Sequence, residues 1–266
     1  AVDRAVASVP PGDDLAVAFS GGLDSALLAA RLDATLYVVG FPDSPDVTAA
    51  REAATLLDRD LAIVELDHEA LEAAVARVVR ATTRTNAMDV AIALPLLCVA
   101  EAAAADGAER LVIGQGADEL FGGYAKVAMA LEDDRVAAET VRGARREVLT
   151  TLPDQLERDT LAVRAAGVEP VTPYCHDAVV RASLPLPEDL LVTEAGERKR
   201  ALRLVARETL PDAIADRDKR AMQYGSRVSR ELDRLARQAG FKRRQDDHVT
   251  AYVESLCDPP LRIGTQ

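Results

Sequence analysis

The chain has 266 residues, with 44 Asp and Glu against 32 Lys and Arg, a formal charge of −12 at neutral pH and 48% hydrophobic residues. That is enough for one large α/β domain or two small ones, and for a core that needs no staples. Three widely spaced cysteines exclude a disulfide framework, three unpaired histidines offer no zinc or iron ligand set, and no basic face advertises nucleic acid, since Lys242-Arg243-Arg244 is short and is followed by Asp246-Asp247. Residues 1–11 carry one basic residue and no long apolar stretch, so they do not read as a signal peptide, and a cytoplasmic, reduced setting is expected. With 28 arginines to four lysines, the composition resembles cytosolic proteins of salt-loving archaea, or simply an acidic protein of a GC-rich genome.

Strand-like runs fall at 15–19, 34–39, 61–66 and 110–113, and helical stretches separate them at 25–32, 45–58, 69–81 and 87–106. This alternation predicts a parallel sheet with helices on both faces and ligands at the carboxyl ends of the strands. The apolar run 90–100 contains Pro95 and is too short for a bilayer, so it is expected to be a buried helix with Asn86 as N-cap and Asp89 at N3. Beyond Tyr124 the pattern is mostly helical, at 126–151, 153–166, 197–209 and 226–239, with no linker or repeat. One domain over 1–266 is expected, with a nucleotide-binding half (1–130) and a mainly helical acceptor-side half (131–266).

The chemistry sits in two loops. Ser20-Gly21-Gly22-Leu23-Asp24-Ser25 follows the first strand and opens a helix, and its adjacent glycines let backbone N–H groups approach an anion such as a pyrophosphate. Asp24 would repel that phosphate unless a divalent cation lies between them, which implies ATP with Mg²⁺. Gly114-Gln115-Gly116-Ala117-Asp118-Glu119-Leu120-Phe121-Gly122-Gly123-Tyr124 follows the fourth strand, and Asp118 supplies a second hard oxygen ligand. No G-x-x-x-x-G-K-[ST] occurs, so γ-phosphoryl transfer is not expected.

The first loop resembles the PP-loop of the N-type ATP pyrophosphatases, and the second resembles the G-x-G-A-D-E-L-F-G-G-Y signature of asparagine synthetases. The resemblance continues through Gly167 to Tyr174 (G-x-E-x-R-x-P-F in the family), the K-x-x-L-R stretch Lys199 to Arg203, and Leu210-Pro211-Asp212-Ala213-Ile214 ahead of Lys219. It covers residues 15 to about 230. It implies a PP-loop, HUP-like α/β fold and an AMP- and pyrophosphate-forming ligase that adenylates a carboxylate and passes it to ammonia or another amine. Ser20, Gly21, Gly22, Asp24, Ser25, Gly114, Gln115, Gly116 and Asp118 would hold ATP, with Asp24 and Asp118 on Mg²⁺. The lysine matching Lys219 contacts phosphates and transition state in the family, and Glu169 is the expected carboxylate for orienting or deprotonating the amine.

Two departures from the family bear on the substrate. Gln115 stands where glutamate is common, and glutamine cannot act as a base near neutral pH. Val171 stands where arginine is common. Ala1 lies only 19 residues before Ser20, so no glutamine amidotransferase domain fits within this sequence, and ammonium or a separate glutaminase chain is the expected nitrogen source. The other readings are a PP-loop enzyme of sulfur or lysidine type acting on RNA, disfavoured by the lack of paired cysteines and of a basic groove, and a non-catalytic nucleotide-binding module, disfavoured by the intact Asp24, Asp118 and Lys219.

Overall fold

The computed structural model describes residues 1–129, 140–217, 222–242 and 247–257. Five strands, β1 (Leu15–Ala18), β2 (Thr35–Gly40), β3 (Leu61–Glu65), β4 (Arg110–Val112) and β5 (Glu169–Val171), form one parallel sheet in the order β3-β2-β1-β4-β5. Successive side chains leave opposite faces, so Ala16, Tyr37, Val39, Leu111 and Ile113 enter one core while Val17, Phe19, Leu36, Val38 and Val112 enter the other. Both faces are covered by helices, as a parallel sheet requires.

The helices in chain order are α1 (Val2–Ala7), α2 (Leu23–Ala29), α3 (Pro45–Leu56), α4 (His68–Thr82), α5 (Ala87–Ala105), α6 (Ala117–Phe121), α7 (Ala125–Ala128), α8 (Val141–Ala165), α9 (Asp177–Ser183), α10 (Glu188–Leu191), α11 (Arg200–Thr209), α12 (Asp212–Ala215), α13 (Met222–Gly225), α14 (Val228–Gln238) and α15 (His248–Ser255). Their starts are chemically marked. Ser44 caps α3 ahead of Pro45, Asp67 caps α4 by accepting from the Ala70 amide at 2.8 Å, and Asn86 caps α5 by accepting from the Asp89 amide at 2.9 Å, as its sequence predicts. Helix α5 is by length and composition apolar enough to cross a membrane, yet 61% of its apolar window is buried inside this fold, against α4, α8 and the sheet.

Two expectations need correction. The 126–151 and 153–166 helices are not divided at Pro153: α8 runs unbroken through it, and residues 130–139 of the first stretch lie outside the described residues. A fifth strand, unmarked by any long apolar run, extends the sheet. Pro170 sits inside it without harm because the ladder uses its neighbours: the Glu169 amide donates to Glu109 O at 2.8 Å, and the Ile113 amide donates to Val171 O at 2.9 Å.

The strand order reverses direction between β1 and β4. That switch point opens a crevice at the carboxyl ends of two adjacent strands, where a ligand can enter between helices that leave in opposite directions.

Candidate active site

Both glycine-rich loops open into that crevice, which is a cavity of about 670 Å³, within the range of small-molecule sites. Gly21 adopts φ +69°, and a Cβ there would overlap the Ala49 backbone, so only glycine lets the first loop pass α3. Among the described residues no backbone carbonyl accepts from the amides of Gly21, Gly22, Leu23 or Asp24, which leaves a run of donors at the start of α2. In the second loop Gly116 adopts φ +92°, and a Cβ would press on Cys175 Sγ. Tyr174 is wholly buried beneath both loops, donating from its hydroxyl to Asp24 O at 2.9 Å and meeting Phe121 edge-on. From the other side Arg217 donates to Ala49 O at 2.8 Å and to Gly21 O at 3.4 Å.

Asp24 and Asp118, from loops on neighbouring strands, meet at one ammonium. Lys199 Nζ lies 2.6 Å from Asp118 Oδ1 and also pairs with Asp24 Oδ2. Its side chain is only 4% exposed. Burial alone would push the amine down, but the Asp118 and Asp24 carboxylates outweigh it, and the ammonium is held charged above its ordinary value. Asp24 Oδ1 is buried with no hydrogen-bond partner, an acceptor position suited to a cation. Among the described residues no group of three or more His, Cys, Asp or Glu stands together. Two carboxylates with room for substrate phosphates nevertheless fit Mg²⁺, which keeps waters and takes one or two protein carboxylates in nucleotide sites.

The cavity is lined by Val38, Val39, Asp46, Thr48 and Ala49, by Ile92, Pro95, Leu96 and Val99 of α5, and by Gln115, Tyr124, Gln155 and Arg158. There Tyr124 donates its hydroxyl to the buried Glu119 at 2.6 Å and also lies 3.3 Å from Gln155 Oε1, to which Gln115 Nε2 donates at 3.3 Å. Burial, with the negative charge of Glu119 beside it, pushes the Tyr124 phenol far up and keeps it protonated. Arg158 is buried, donating through Nε to Asp159 at 2.8 Å and through Nη1 to Asp89 at 2.9 Å. Asp89 therefore fills its capping place and also supports this wall.

The asparagine synthase family model matches residues 1–147 and 132–257, nearly the whole sequence. The chain belongs to the asparagine synthase family. It is 30% identical over 268 residues to a provisionally named glutamine-hydrolyzing asparagine synthetase 1 of Methanocaldococcus jannaschii, covering 88% of this chain and 49% of that protein. It is 25% identical over 229 residues to asparagine synthetase B (glutamine-hydrolyzing) of Escherichia coli, covering 79% and 41%. This family member thus spans about half the length of the curated relatives it matches. A solved structure described as a predicted subunit of tRNA methyltransferase from M. jannaschii shares 18% identity at a TM-score of 0.31, covering 73% of this chain and 86% of that one; so slight a likeness has no bearing on function.

Of the residues singled out in sequence, Ser20, Gly22, Asp24, Ser25, Gly114, Gln115 and Asp118 line the cavity, and Gly21 and Gly116 shape its two loops. Glu169 does not join them. It lies at the amino end of β5, away from the crevice, exposed and held by both nitrogens of the Arg164 fork at 2.5 and 3.0 Å, which keeps its carboxyl below the usual range. A base or orienting role for Glu169 is withdrawn on that ground, and Glu169→Ala is expected to leave turnover unchanged in a steady-state rate assay. Lys219 falls outside the described residues. Sequence reading overlooked Lys199 as a site residue, although the K-x-x-L-R stretch contained it, and it overlooked Tyr124 with Glu119 and Arg158.

The Tyr174 hydroxyl offers a direct check on loop support. Tyr174→Phe is expected to lower unfolding stability by about 0.5–1.5 kcal/mol, the net worth of one such hydrogen bond, in a thermal or urea melt. It should also slow turnover by loosening Asp24.

Proposed function

We propose that this family member is an ATP-dependent ligase that adenylates a carboxylate, releases pyrophosphate and transfers the acyl group to an amine, with ammonium as the first nucleophile to test. The observation that carries this reading is the convergence of Asp24 and Asp118, from two glycine-rich loops on adjacent strands, upon one buried cation position in a cavity of about 670 Å³. Attack of the carboxylate on the α-phosphorus builds negative charge on bridging and leaving oxygens, so catalysis depends on preorganised positive groups there.

The unengaged loop amides would bind the phosphates, with the Ser20 and Ser25 hydroxyls beside them. Mg²⁺, held by Asp24 and Asp118, would neutralise the leaving pyrophosphate. Lys219 is proposed to add a second positive charge on the phosphates. Val38, Val39 and Thr48 would border the nucleoside, and α5 with Gln115, Gln155 and Arg158 would enclose the acceptor carboxylate. Relatives named glutamine-hydrolyzing support a separate glutaminase as partner, and the three free thiols accord with a cytoplasmic setting.

The test is incubation with ATP, Mg²⁺, ammonium and a panel of amino-dicarboxylic and other carboxylic acids. AMP and pyrophosphate are expected in equal amounts, and only with a matching acid. Stoichiometric ADP would overturn the adenylation chemistry.

A further inference from the structure

A buried lysine inside a metal-type carboxylate pair calls for its own explanation. We propose that Lys199 is an internal stand-in cation: its ammonium holds Asp24 and Asp118 in register and keeps out a bare divalent ion, so that the metal enters only together with nucleotide phosphates. This rests on the reading of those two aspartates as metal ligands.

Four observations carry the inference. The ammonium is shared between the two carboxylates, 2.6 Å from Asp118 Oδ1 and paired with Asp24, with its side chain almost fully enclosed. The space is shaped around it, since a Cβ on Gly123 would overlap both the Asp118 carboxylate and Lys199 Cε. Lys199 holds its backbone at φ +57°, a left-handed conformation that a residue with a Cβ adopts only when its surroundings over-determine it. Finally, the residue is a lysine in a chain whose basic residues are 28 arginines and four lysines. A compact ammonium point charge can occupy an ion-sized gap between two carboxylates, whereas the broad guanidinium fork cannot.

The charge balance explains the ordering. Two carboxylates and one ammonium leave a single net negative charge, a poor trap for a divalent cation. Without the ammonium, two partly buried carboxylates would face each other and bind such a cation strongly. Nucleotide phosphates bring the missing negative charge together with their own metal. The ammonium then has phosphate oxygens to turn to, and Asp24 Oδ1, unpartnered without ligand, is available to the metal.

The experiment measures manganese binding by electron paramagnetic resonance on the full chain, first freed of metal by chelation. Wild type is expected to bind Mn²⁺ weakly alone and tightly with an ATP analogue carrying a methylene between the α and β phosphorus atoms. Lys199→Met should bind Mn²⁺ alone at least about tenfold tighter than wild type, because a positive charge beside the metal position is gone. That gain should vanish in Lys199→Met with Asp118→Asn. Equal affinity of wild type and Lys199→Met for Mn²⁺ alone would overturn the inference while leaving the metal reading intact. A wild type that binds no more Mn²⁺ with the analogue than without it would overturn the metal reading itself and the inference with it. Should Lys199→Met fail to fold without metal, Lys199→Gln, whose amide still donates to a carboxylate, is judged by the same ratios.

Discussion

Asp118→Asn is expected to slow formation of AMP and pyrophosphate by about 10²–10³-fold, the usual consequence of removing one preorganised electrostatic contact from a charged transition state. The asparagine keeps the shape of the site and one carbonyl oxygen but lacks the charge that draws a divalent cation. The fold should survive. Lys199 retains Asp24 as its counterion, and the variant exchanges a net charge of −1 at the centre for neutrality. The rate is read as pyrophosphate release and the fold by thermal melt. A normal rate in a normally melting variant would remove Asp118 from the chemistry.

The largest expected effect on stability is at Arg158. Arg158→Leu removes the partner of Asp159, which is wholly buried and keeps one oxygen without a hydrogen bond even in the intact protein. Breaking a buried ion pair from one side costs about 3–5 kcal/mol, because the remaining charge has no compensation. Burial already raises the Asp159 carboxyl above its ordinary value, with Arg158 opposing it. A carboxyl raised in the folded state contributes stability that is full below its unfolded value and is lost as pH rises through the folded one. Without Arg158 that folded value climbs further, so the destabilisation measured by urea melts should be smaller near about pH 5 than near about pH 8. Asp89, whose carboxyl Asn86 and Arg158 hold low against burial, loses part of that support at both pH values, since both lie above its ordinary range. Adding Asp159→Asn should recover part of the loss at the higher pH, since a buried amide carries no charge.

β1, β4 and the two site loops were legible in the sequence because a short apolar run leads into a glycine-rich turn, and β2 and β3 as short apolar runs alternating with helical stretches, signals that need no tertiary context. The fifth strand was not. It has three residues, one of them Pro170, and becomes a strand only because the β4 edge offers a ladder that spares the proline nitrogen. The division at Pro153 failed for a related reason: tertiary packing of α8 against α5 and α4 holds the helix together where propensity alone would end it. Asp24 and Asp118 could be read as a pair from their loops, whereas Lys199 lies 81 residues beyond Asp118 and only the closed fold brings it between them. Its clue was compositional, a lysine kept where the chain otherwise prefers arginine. Glu169 misled because its motif was read without its strand. Three residues before Thr172, it sits at the amino end of β5, the opposite end from the one that Tyr174 supports.

The placement of β5 and Tyr174 matters for anyone who would recombine such proteins. The strand at one edge of the nucleotide sheet, the tyrosine under Asp24 and the arginine clamping Gly21 all come from the later part of the chain. A chimera that joins the first 130 residues of one family member to the remainder of another would therefore exchange the props of the ATP loop together with Lys199, Gln155 and Arg158, while α5 and Gln115 stayed with the first half. Seams that keep residues 169–174, Lys199 and Arg217 with their own first half would leave these props in place while Gln155 and Arg158 are exchanged.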